Sequence, residues 1–101
     1  MKMSVTNEAE LNAEINGSDI VLVDFYAQWC GPCKAMAPTL DKIDGEVAKV
    51  VKIDIEEAQD LATKYAVRSV PTFVVFKNGE ATDQRAGGMT EGQLRSWLGT
   101  A

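Results

Sequence analysis

Histidine is missing from this 101-residue chain, and cysteine occurs only twice, at Cys30 and Cys33. A single copy therefore cannot assemble the usual four-ligand Cys/His zinc site, and no metal is expected. Long apolar runs are missing too. The longest, Ile20 to Tyr26, is interrupted by Asp24 and falls far short of the roughly 20 residues that cross a bilayer. Excess positive charge is also lacking: ten Lys and Arg stand against fifteen Asp and Glu, for a net charge of −5. That balance excludes the cationic surface that drives binding to nucleic acid or to anionic membranes. With three prolines and no repeat, low-complexity tract or Pro/Gly-rich linker, the chain reads as one continuous domain over residues 1–101. Its first eight residues turn polar and acidic where a secretory leader needs an apolar core, so a cytoplasmic location is expected.

What is there suits an ordinary globular domain, 46% hydrophobic and 25% charged. A folded chain of 11.0 kDa should expose roughly 5,600 Å², about a third of its unfolded surface. One core needs no covalent staple.

The apolar pattern alternates between periods. Asn7 with Glu10 marks a helix start, Leu11 and Ile15 fall on one face, and Gly17 stands at the stop. Ile20 to Tyr26 is nearly all apolar without alternation, the mark of a parallel strand covered on both faces and placed centrally in a sheet. After Cys33, Met36, Leu40, Ile43 and Val47 recur at helical spacing, with Pro38 as a kink. Val50 to Ile55 reads as the next strand, and Ala58, Leu61, Ala62 and Tyr65 trace the inner stripe of another helix. Thr72 to Phe76 is a third strong strand, and Asn78-Gly79 turns it through a type I′ hairpin into a fourth, from about Ala81 to Ala86. Thr90 and Gln93 form a capping box for a last helix that buries Leu94, Trp97 and Leu98. The order is αβαβαββα, with a frayed first strand at Ser4 to Thr6. The result is an α/β fold with a mixed sheet.

A C-x-x-C pair joining a strand to a helix in such a pattern reads as a redox dithiol. Cys30 falls at the helix N-terminus, where free N–H groups favour a thiolate, the attacking species in thiol–disulfide exchange. Cys33 falls inside the first turn, where it should be shielded. Pro32 suits that turn because its missing N–H costs nothing there, and Gly31 leaves room for a partner backbone. The bland alternatives are a static disulfide, which would constrain little across so short a loop, two buried structural thiols, and zinc held between two copies. Asp24, in the middle of a doubly covered strand, should be desolvated and its pKa raised, so it could take a proton from a nearby thiol and return it. An edge strand would leave it merely solvated. Lys52, in the neighbouring strand, would approach and tune it. Trp29 and Tyr26 flank the pair, Trp29 as a contact surface for a partner and Tyr26 as either contact or core. Val70-Pro71 is a strand boundary or a cis turn near the site, with trans the ordinary isomer.

Trp29-Cys30-Gly31-Pro32-Cys33-Lys34, preceded by Asp24-Phe25 and followed by Val70-Pro71-Thr72, resembles the thioredoxin family. Pro38, Lys52, Asp54, Lys77-Asn78-Gly79-Glu80 and Gly87 extend the match over nearly the whole chain, although Tyr26 stands where a tryptophan is frequent. The resemblance implies the thioredoxin fold, a central mixed β-sheet flanked by helices, parallel in its first half and closed by an antiparallel hairpin. It implies that Pro71 is cis and faces the dithiol, and that Trp29, Gly31, Pro32, Val70, Pro71, Ala86 and Gly87 border a groove for an extended substrate segment. It also implies a protein-disulfide reductase, acting as a monomer on disulfide-containing target proteins. Such a chain binds no cofactor of its own and draws electrons from NADPH through a flavoprotein thioredoxin reductase. Two rivals share the motif: a disulfide-donating oxidant or isomerase of an exported compartment, and a binding module whose cysteines are incidental.

Overall fold

The computed structural model describes residues 3–101. Along the chain run β1 (Met3–Ser4), α1 (Glu8–Ile15), β2 (Ile20–Tyr26), α2 (Gly31–Ala35), α3 (Ala37–Ile43), β3 (Lys49–Asp54), α4 (Gln59–Lys64), β4 (Thr72–Lys77), β5 (Glu80–Ala86) and α5 (Glu91–Thr100). They build one five-stranded sheet in the order β1-β3-β2-β4-β5, in which β3 runs parallel to both β1 and β2, and β4 antiparallel to both β2 and β5. The accessible surface is 5342 Å², close to the value expected from mass alone.

The unalternating apolar run of β2 takes the central position, with Val21 to Phe25 all buried. One sheet face packs Val21, Val23, Phe25, Val51 and Ile53 against Leu11 and Ile15 of α1 and Leu61 of α4. The other packs Leu22, Val50, Phe73 and Val75 against Leu40 and Ile43 of α3 and Leu94, Trp97 and Leu98 of α5. The caps read from the sequence are formed. The Asn7 side chain accepts from the Glu10 N–H at 2.9 Å, and Thr90 and Gln93 exchange both bonds of a capping box. Asn78 and Gly79 both take positive φ, 53° and 85°, as a type I′ turn requires.

Three local expectations are corrected. The helix after the cysteines is not one kinked rod but two helices meeting at Met36, because Pro38, lacking an N–H, opens a new first turn in α3. Val47 lies outside that helix, which ends at Ile43. The first strand pairs at Met3 and Ser4 rather than extending to Thr6.

The topology gathers one edge of the sheet. β2 and β3 both end there, at Tyr26 and Asp54, β4 begins there at Thr72, and β5 ends there at Ala86.

Candidate functional site: a dithiol turn at the end of the central strand

From the end of β2 the chain turns through Ala27 to Trp29, with the Cys30 N–H donating to the Ala27 carbonyl at 3.2 Å, and enters α2. Cys30 is the N-cap residue, in extended conformation, and its sulfur accepts from the Cys33 N–H at 3.1 Å. Pro32 sits in the first turn, where no N–H is needed. Cys30 and Cys33 are joined by a disulfide, with their Cα atoms 5.3 Å apart. Both are buried, Cys30 at 3% and Cys33 at 7% exposure. Ala27 lies with them, and Tyr26, Ile55 and Val70 pack around the pair.

Val70 belongs to the turn that enters β4. The Val70–Pro71 peptide bond is cis, the isomer implied by the resemblance rather than the ordinary one. The Thr72 hydroxyl donates to the Ser69 carbonyl at 2.7 Å, and the Gly87 N–H donates to the Pro71 carbonyl at 2.8 Å. With Ala86 paired to Thr72, this ties Val70, Pro71, Ala86 and Gly87 into one rim. On the cysteine turn, Gly31 and Pro32 are exposed, and Trp29 is 67% exposed, as expected of a contact surface.

Beneath the turn is a hollow of about 390 Å³ whose lining includes Asp24, Tyr26, Cys33, Lys34 and Lys52. Asp24 is 1% exposed, in the middle of the central strand, which removes the edge-strand alternative. Its register partners are Lys52 on β3 and Phe73 on β4. The Lys52 ammonium lies 4.3 Å from the centroid of the Tyr26 ring. Burial pushes the Tyr26 phenol up from its ordinary value. The carboxylates of Asp54, Glu57 and Asp24 push the same way, against a side-chain hydrogen bond with Ser4.

A thioredoxin family model matches residues 2–100. The chain belongs to the thioredoxin family. It is 40% identical over 95 residues to a thioredoxin of Rickettsia felis, covering 90% of each chain. It is 36% identical over 96 residues to that of Mycoplasmoides gallisepticum, covering 93% of this chain and 96% of the other. A mutant thioredoxin from Halobacterium salinarum shares its fold with a TM-score of 0.92 at 39% identity, over 96% of this chain and 87% of that one. Thioredoxins are thiol–disulfide oxidoreductases that need no bound cofactor, and Cys30 and Cys33 form the redox-active pair of this member. Among the described residues, none of its helices is long and apolar enough to cross a membrane.

Two thioredoxin residues at the site carried no clear signal of their place. Asp54, 6% exposed at the end of β3, accepts from the Glu56 N–H at 2.9 Å and from the Gln28 amide at 3.4 Å. Its bridge to Gln28 spans 26 residues, which no local pattern reports. Tyr26 showed no sign that its ring would meet Lys52.

Proposed function

We propose that this thioredoxin reduces disulfides in other proteins, with Cys30 as the attacking thiolate, Cys33 as the resolving thiol and Asp24 as the proton acceptor. The Cys30 thiolate attacks one sulfur of a target disulfide, forming a mixed disulfide and releasing the other target sulfur as a thiolate. Cys33 then gives its proton to the Asp24 carboxylate through a water in the hollow and attacks the Cys30 sulfur. The Cys30–target bond breaks, the second target thiolate leaves and takes a proton, and the Cys30–Cys33 disulfide remains. Two electrons have passed to the target.

The observation that carries this reading is the shared lining of one hollow by Asp24 and Cys33, directly under a bonded Cys30–Cys33 pair. Its 390 Å³ has room for several waters at about 30 Å³ each. Lys52, in register with Asp24, tunes the carboxyl, and Gly31 and Pro32 shape the turn. Trp29, Val70, Pro71, Ala86 and Gly87 receive the target segment along this rim, in which Trp29, Ala86 and Gly87 are exposed, Val70 is half-buried and Pro71 is buried. The chain works as one domain and as a monomer in the cytoplasm, regenerated by a flavoprotein thioredoxin reductase that draws on NADPH. With a net charge of −5, neither nucleic acid nor a membrane is its partner.

Trapping tests the roles. Cys33→Ser accumulates covalent mixed disulfides with target proteins, whereas Cys30→Ser forms none and loses exchange. Equal residual activity in the two variants would overturn the assignment.

A further inference from the structure

Lys52 pairs in register with Asp24, and Tyr26 lies two residues beyond Asp24 on β2, so all three side chains leave one face of the sheet. All three line the hollow that Cys33 also lines. Left to itself, a lysine ammonium on its flexible stem extends into water. Here it lies 4.3 Å from the Tyr26 ring centroid, where the negative face of the ring attracts it, and more strongly where water is partly excluded.

We propose that Tyr26 is a positioning residue, its ring holding the Lys52 ammonium at the wall of the hollow so that the positive charge acts on Asp24 while Asp24 receives the Cys33 proton. This rests on the proton-acceptor role proposed above for Asp24.

The surrounding charges support it. Facing this spot are Asp24 from β2, Lys52 and Asp54 from β3, Glu57 after β3, Ser4 from β1, and Cys33 and Lys34 from α2. The contributions of α3 and β4, Ala37, Leu40 and Phe73, are apolar. The phenol is pushed up by burial and by Asp54, Glu57 and Asp24, so the ring stays neutral throughout the working range of the dithiol. A held ammonium favours the Asp24 carboxylate. Losing the ring frees the lysine toward solvent, the carboxyl then ionises at higher pH, and the resolving step follows it upward.

The test is single-turnover reduction of dithiobis(nitrobenzoate) by the reduced protein, in which release of the second thionitrobenzoate reports attack of Cys33 on Cys30. Tyr26→Phe keeps the ring and should keep the midpoint of the pH profile. Tyr26→Leu and Tyr26→Met, run together in case either fails to fold, should move it up by about 0.5–1 unit, slowing the step about threefold or more below the midpoint. In a Lys52→Gln background the same changes should add nothing. An unmoved profile in the ringless variants, or the full shift persisting in the Lys52→Gln background, overturns the proposal. Asp24→Asn separates it from the reading beneath. If that variant keeps the wild-type profile, the acceptor role itself fails; if it flattens the profile while the ringless variants do not move theirs, only the role of Tyr26 fails.

Discussion

The backbone N–H of Cys33 donates to the Cys30 sulfur at 3.1 Å, so the side chain of the first cysteine caps the helix at the backbone of the second. A hydrogen bond of this kind strengthens when its acceptor is charged, which favours the thiolate over the thiol. In the reduced protein, Cys30 should titrate below the value of about 8.5 of an ordinary cysteine. Ultraviolet thiolate absorbance across a pH series measures this, with Cys33→Ser isolating one thiol. A midpoint at or above the ordinary value would mean that the cap does not activate the sulfur.

Asp24 makes the second prediction. Asparagine keeps its volume and part of its hydrogen bonding but cannot accept the proton, so Asp24→Asn should slow the resolving step about tenfold or more near neutral pH. The fold should persist, since the change removes a carboxyl from a site only 1% exposed. Stopped-flow release of target thiol gives the rate, and circular dichroism gives the fold. A resolving step as fast as wild type would count against the acceptor role.

Ala66 carries a cost in the backbone. α4 closes with the Val67 N–H donating to the Ala62 carbonyl at 2.9 Å and the Ala66 N–H to the Thr63 carbonyl at 3.0 Å, which places Ala66 at φ 54°. Glycine is at ease in that left-handed position and alanine is not. Ala66→Gly should stabilise the fold by about 0.5–1 kcal/mol, after allowing for the extra freedom of glycine in the unfolded chain. Urea denaturation measures it, and a destabilised variant would contradict the argument.

Asp83 gives a pH dependence. The buried indole of Trp97 donates to Asp83 at 2.7 Å, and this bond, followed by the Gln84 N–H, holds the exposed carboxyl below its ordinary range. A folded pKa lower than the unfolded one contributes stability above the unfolded value, and that stability is lost as pH falls through the folded value. Thermal midpoints followed into acid should therefore fall less steeply for Asp83→Asn than for wild type below the ordinary aspartate range. Parallel curves would remove Asp83 from the acid response.

Much of this was legible because it is local. The unalternating run of Ile20 to Tyr26 announced a central strand, and Asn78-Gly79 a turn needing two positive φ values. Thr90 with Gln93 announced a capped helix. The C-x-x-C pair between strand and helix named its own chemistry, and the apolar neighbours of Asp24 announced its burial. What stayed hidden depends on geometry between segments or on the balance of neighbouring turns. Helical periodicity passes through Met36 unbroken, and only the first turn of α3 shows that Pro38 starts a second helix. The left-handed end of α4 carries no glycine to signal it. The burial of Cys30 depends on Val70, forty residues away, and the Tyr26–Lys52 contact on the register of two strands.

The central claim is direction: electrons leave this dithiol for protein disulfides. Equilibrating the protein in graded thiol redox buffers and counting free thiols gives the potential of the Cys30/Cys33 couple. The account predicts a reversible two-electron couple well below the glutathione pool, so that the reduced form donates outward. A potential above that pool would make the protein an oxidant or isomerase, and the absence of a reversible couple would leave the cysteines incidental to a binding role; either result contradicts the account.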